Sequence, residues 1–195
     1  MTRAQPLSSC VVLVVLAGCG GGTPAKTGSP TTGSTTTAPT GWPGVAWDSA
    51  EVVVFNQVEY GPGLTLTAWD PDHGWNPTVV SRQPVERELG AEAATLVEAT
   101  GGGVEVSKCA LPRNAIVLFA GTEPVASANV CFACGDIVVS PDPRPARDWG
   151  AATDAELEAW QREDEARLAT YDATFPRWQA LFRDQLGLAI EWPPS

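Results

Sequence analysis

The chain has 195 residues, a formal net charge of −11 and one histidine, His73. Such acidity argues against nucleic acid and anionic lipid as partners, because both require a basic patch; the charge is read as a solubilising one. A single histidine leaves most acid–base and metal chemistry short of its usual side chain, which argues against an enzyme.

Residues 1–18 read as a signal peptide. Arg3 is the positive charge near its start, residues 11–16 are apolar, and small residues precede Cys19. The apolar run is far shorter than the roughly 20 residues a transmembrane helix needs, and no later segment reaches that length. The order Leu16-Ala17-Gly18-Cys19 resembles the lipobox of bacterial lipoproteins. That resemblance implies cleavage before Cys19 and acylation of its thiol and amine, hence a membrane anchor in a bacterial cell envelope. The alternative is an ordinary cleaved signal with a coincident cysteine. Glycine rather than aspartate after the cysteine favours the outer membrane in many diderm lineages. After Cys19, residues 20–41 are only Gly, Thr, Pro, Ala, Ser and Lys26. Nothing there can seed a core, and a flexible coil of that length reaches roughly 26 Å. Residues 19–41 are therefore a tether, and residues 42–195 one domain of ordinary size.

Within the domain, residues 51–58 are rich in β-branched side chains and predict a strand. A turn at Gly61-Pro62-Gly63 leads to a second strand over 64–69. Asp70-Pro71-Asp72-His73-Gly74 is dense in turn formers, and 78–82 predict a third strand. Residues 86–99 have helical spacing of Leu89, Ala93, Leu96 and Val97, ended by Gly101-Gly102-Gly103. A strand over 103–108 follows. Residues 114–120 and 125–132 flank Gly121-Thr122-Glu123-Pro124 as a hairpin. A loop centred there pairs Ala120 with Val125 and Asn114 with Cys131. It puts Ala115, Val117 and Phe119 on a core face with Ala126, Ala128 and Val130. The opposite, more polar face carries Asn114, Ile116, Leu118, Ser127, Asn129 and Cys131.

After three prolines, Pro141, Pro143 and Pro145, Thr153 and Glu156 form a capping box that opens a helix to about Tyr171. Glu158–Arg162 and Glu163–Arg167 are i,i+4 pairs on it. A second helix over 175–186 has a strong apolar stripe, Phe175, Trp178, Leu181, Phe182 and Leu186, and Gly187 stops it. The predicted class is α+β: an antiparallel sheet with a cysteine-bearing β-hairpin and the C-terminal helices packed on one side.

Cys109, Cys131 and Cys134 are the cysteines of the domain, an odd number in an exported protein. One disulfide with one free thiol, or a three-thiolate metal site, satisfies the arithmetic. Cys131 and Cys134 point to opposite faces in an unbroken strand; they converge only if the strand ends near Phe132, and Gly135-Asp136 permits such a bend. Cys109, Pro112-Arg113, Ala115-Ile116-Val117 and Cys131-Phe132-Ala133-Cys134 resemble a family of uncharacterised bacterial secreted and lipoprotein sequences. Its pattern is Cys-x-x-Pro-Arg-His, an apolar strand, and a second strand ending Cys-Phe-x-Cys. The resemblance covers about 28 residues, with weaker likeness in the preceding helix and in Leu186-Gly187-Leu188. It implies a Cys/His cluster and no established activity. Here Asn114 replaces the histidine, and asparagine is a poor zinc ligand.

A disulfide from Cys109 to Cys131 or Cys134 is the structural reading; closing such a loop stabilises a fold by roughly 3 kcal/mol. A zinc site needs a fourth ligand, His73 or Asp136. A redox pair at Cys131 and Cys134 lacks the helix N-terminus that lowers a cysteine's pKa. Asp70, Asp72 and His73 could also hold a cation but read more simply as a turn. Trp42, Trp47, Trp69 and Trp75 could line a groove but read as core or turn anchors. Arg113, near Cys109 in sequence, could lower a thiol pKa or sit on the surface. The expected role is a tethered, non-catalytic envelope module for binding or assembly, with no cofactor; the alternative is a metal-binding or thiol-redox protein using the three cysteines.

Overall fold

The computed structural model describes residues 41–58, 61–105 and 110–190. Cys19 and Cys109 lie outside the described residues, as does the end of the strand expected over 103–108. The described part of that segment makes one bridge, Val104 to Ile137.

The architecture is α+β. Five antiparallel strands lie in the order β4-β1-β5-β6-β7: β1 Ser49–Val54, β4 Ser81–Val85, β5 Asn114–Ala120, β6 Glu123–Cys131 and β7 Asp136–Ser140. A two-stranded ribbon, β2 Trp69–Asp70 with β3 Gly74–Trp75, is separate. The strand expected over 64–69 shrinks to this ribbon, because Asp70 accepts the N–H groups of Asp72 and His73 and closes a turn at once. The strand expected over 78–82 begins later and takes the sheet edge, where Pro84 denies a ladder donor to any further strand.

The hairpin forms, but one residue out of the expected register. Its turn is the two-residue loop Gly121-Thr122, with Ala120 opposite Glu123. Gly121 has φ 62°, which suits the first position of a tight hairpin turn. A bulge follows between Leu118 and Phe119, after which Leu118 faces Ala126 and Asn114 faces Val130. A one-residue slip exchanges faces. Ile116 and Leu118, not Ala115, Val117 and Phe119, therefore share a core with Ala126, Ala128 and Val130. The face expected to be polar is also covered: Val53, Phe55, Ala68, Ala115, Val117 and Phe119 form a second, smaller core. The two polar side chains of β6 on that face are satisfied. Ser127 donates to the Trp69 carbonyl at 2.6 Å, and Asn129 accepts the Ala68 N–H at 2.7 Å while donating to the Val138 carbonyl at 2.9 Å.

The larger core is closed by helix α1, Arg87–Thr100, and helix α2, Asp154–Gln179, with the π-helical turn Ala180–Gln185 after it. α1 approaches the sheet closely at Gly90, where a methyl group would stand 2.8 Å from the Ala50 Cβ. α2 begins with the expected capping box at Thr153 and Glu156. It is one helix through Pro176, not two. The first half has only a thin apolar face and stays largely exposed, whereas Tyr171, Trp178, Leu181 and Phe182 are buried. A change in burial along one helix thus imitated a break. Glu158 and Arg162 pair at 3.9 Å as expected. Glu163 and Arg167 do not: Glu163 takes Arg147 and Arg167 takes Asp164.

Candidate metal centre

β6 ends at Cys131 and β7 begins at Asp136, the terminal pair of their ladder. The chain turns through Phe132-Ala133-Cys134-Gly135. The Gly135 N–H donates to the Cys131 carbonyl at 2.7 Å, and Gly135 has φ 79°, a conformation that glycine adopts without a steric cost. Because the strand stops at Cys131, the two cysteines no longer point apart. One sulfur from each of Cys131 and Cys134 and a carboxylate oxygen of Asp136 lie within 4.8 Å of one another.

The turn is held by the helices. Phe132 packs on Phe182 at 5.3 Å and on Phe175 at 6.0 Å. The Tyr171 hydroxyl donates to the Gly135 carbonyl. Its pKa is pushed up by burial first and then by the neighbouring acidic groups, Asp136 foremost, so it stays a donor. Cys131 and Asp136 are buried, and Cys134 is half-buried. Burial, aided by the Cys134 thiol, pushes the Cys131 thiol up to about 11, against weaker lowering by the backbone N–H groups of Leu111 and Cys134. Cys131 and Cys134 are not joined by a disulfide. A cavity of about 150 Å³ beside Cys131 is lined by Gln57, Arg113, Asn114, Phe132 and Ile190 among others.

Two thiols and a carboxylate are a donor set that can hold a metal ion. Of the candidates read from the sequence, the structure joins Cys131, Cys134 and Asp136. His73 is elsewhere, 85% exposed on the β2–β3 turn with its Nδ1 3.0 Å from Asp70, and it belongs to no donor cluster among the described residues. Asp70 accepts from the Thr67 hydroxyl as well as from the turn N–H groups, so the turn reading accounts for it. Asn114 faces Val130, not Cys131, although both Asn114 and Cys131 line the small cavity. Arg113 donates to the carbonyls of Asn56 and Val58, which makes it a backbone strut. Trp42 is buried in the larger core, where its indole donates to the Pro141 carbonyl at 2.8 Å, while Trp75 stacks on Phe119. Sequence reasoning missed Tyr171 and Leu111 as supports of the turn. Leu111 acts through its backbone, which no side-chain pattern reveals.

No family model, curated protein or solved structure matches the chain.

Proposed function

We propose that the chain is a lipid-anchored bacterial envelope protein, tethered through Cys19, whose domain binds rather than turns over, and that Cys131, Cys134 and Asp136 form a zinc site. The observation that carries the metal reading is the convergence of three donor atoms within 4.8 Å on one tight turn. Two zinc–sulfur bonds of about 2.3 Å at a tetrahedral angle set the sulfurs about 3.8 Å apart, so little contraction is needed. Burial disfavours ionisation of the Cys131 thiol without a cation, and a zinc ion supplies that charge. A tetrahedral site has a fourth position. Cys109 is the sequence candidate for it, since it precedes by two residues Leu111, whose N–H donates to the Cys131 sulfur.

A thiol-redox pair is supported less well. Its nucleophile must be a thiolate at working pH, whereas Cys131 is held protonated up to about 11.

Metal analysis with intact mass and thiol counting on the purified mature chain tests this reading. The expected result is one zinc per chain, released by chelator and lost in Cys131→Ser and Cys134→Ser. A metal-free protein lighter by two hydrogens means a disulfide and overturns the zinc site. The anchor is tested separately: Cys19→Ser should move the protein from the membrane to the soluble fraction.

A further inference from the structure

A second hollow lies apart from the cysteine turn, between the Pro-rich connector and the exposed half of α2. Its volume is about 530 Å³, inside the range of about 300–1,000 Å³ typical of small-molecule sites. Three guanidiniums, Arg144, Arg147 and Arg167, and three carboxylates, Glu105, Asp142 and Asp164, line it. Its formal charge is therefore zero, in a chain of net charge −11.

These groups are fixed. Asp164 bridges Arg147 and Arg167, each at 2.8 Å. Arg147 also binds Glu163 at 2.9 Å, and Arg144 binds Asp142 at 2.6 Å. The side chains of Arg147 and Arg167 are only 16% and 14% exposed. A guanidinium has five N–H donors, and these pairings leave several unused: Arg167 bonds a described side chain only through Nη1, and Arg147 only through its two Nη atoms. Trp149 lines the same hollow, 61% exposed, yet its ring is held edge to face against Trp160 at 5.0 Å.

We infer that this hollow is a binding site for a neutral saccharide of one or two rings. The charges select the class. A cation meets three guanidiniums, and an anion meets three carboxylates, of which Asp142 and Asp164 already occupy those guanidiniums. A hydroxyl group both donates and accepts, so a sugar can satisfy the spare N–H groups and the remaining carboxylate lone pairs together. The exposed indole of Trp149 offers a flat apolar surface to the C–H face of a pyranose. Because the ion pairs already hold the polar groups in place, ligand binding spends little on ordering them.

The test is calorimetric titration of the mature chain with three neutral disaccharides, chitobiose, cellobiose and maltose. Glucose 6-phosphate, glucosamine and glycylglycine serve as anionic, cationic and zwitterionic comparators. At least one disaccharide should bind with a Kd below about 1 mM, at least tenfold tighter than every comparator. Trp149→Ala should weaken that binding tenfold or more, and Cys131→Ser should leave it unchanged. Leu168→Arg, at a 40% exposed position of the lining, should abolish it by filling the hollow; this variant decides the matter if Trp149→Ala fails to fold. Absence of binding by all three disaccharides, a tighter comparator, or full binding by both variants overturns the inference.

Discussion

Replacing Cys109 and Cys134 by serine leaves Cys131 as the only thiol of residues 42–195, and alkylation can then read its titration. Burial is the largest cause of its raised pKa, and that cause survives the replacements. The shift runs from 9.0 to about 11, so below pH 9 the thiolate fraction is about a hundredfold lower than for an unperturbed thiol. The assay is the iodoacetamide rate against pH, followed by intact mass. Buried position also slows access, so the midpoint decides the matter, not the absolute rate. With the Cys134 thiol gone, part of the upward push is lost while that of burial stays, so the expected midpoint lies above 9; a midpoint at or below 9 would show an activated thiolate and refute the reasoning. The same shift has a consequence for stability. A folded-state pKa above the unfolded one favours the protonated form, so its contribution is fully present below pH 9 and is lost as pH rises toward 11. At about 1.36 kcal/mol per pKa unit that contribution is about 2–3 kcal/mol. Zinc reverses the logic: it demands the thiolate and releases the proton, so metal-loaded protein should lose this alkaline sensitivity and chelator should restore it.

The scaffold makes its own predictions. Asn129→Ala should destabilise the fold by about 2–4 kcal/mol in urea unfolding, because it strands the Ala68 N–H and the Val138 carbonyl inside the protein; a loss below about 1 kcal/mol would contradict the role given to this side chain. Gly90→Ala should also destabilise. Alanine gains about 1 kcal/mol in helix propensity, but its methyl meets Ala50 at 2.8 Å and Leu118 and Trp47 at 3.2 Å, and overpacking costs about 1–3 kcal/mol. A higher melting temperature for Gly90→Ala would show that α1 can lift without penalty.

The α+β class, the hairpin, α1 and the capping box were legible because each has a local cause in the sequence. Thr153 and Glu156 cap a helix wherever they stand three apart at its start, and Gly121 invites a turn. The ribbon and the polar knot beneath it were not legible. Asn56 sits at φ 50° and donates to the carbonyls of Thr65 and Pro112, while its oxygen accepts from Thr78. Those partners are remote in sequence, so no local pattern foretells them. The candidate site was partly legible. Spacing alone said that Cys131 and Cys134 converge only if the strand stops, and Gly135 is the residue that permits the stop. The exclusion of His73 depended on the tertiary position of its turn.

The misplaced hairpin register shows why hydrophobicity could not choose. β5 is apolar on both faces: Ile116 and Leu118 serve one core as well as Ala115, Val117 and Phe119 serve the other. A pattern without alternation specifies register weakly, and two pairings one residue apart bury nearly the same surface. What separates them is the polar pair on β6. In the observed register Ser127 and Asn129 lie under the ribbon, where the backbone of Ala68 and Trp69 and the Val138 carbonyl meet their hydrogen-bonding needs. One residue over, both would turn into the larger core among Leu96, Val97 and Phe182, where each unmet polar group costs about 1–3 kcal/mol. The bulge is the local price of that arrangement. It lets the turn keep Gly121 at its corner while two buried polar side chains fix the sheet and, at the end of the same strand, the position of Cys131.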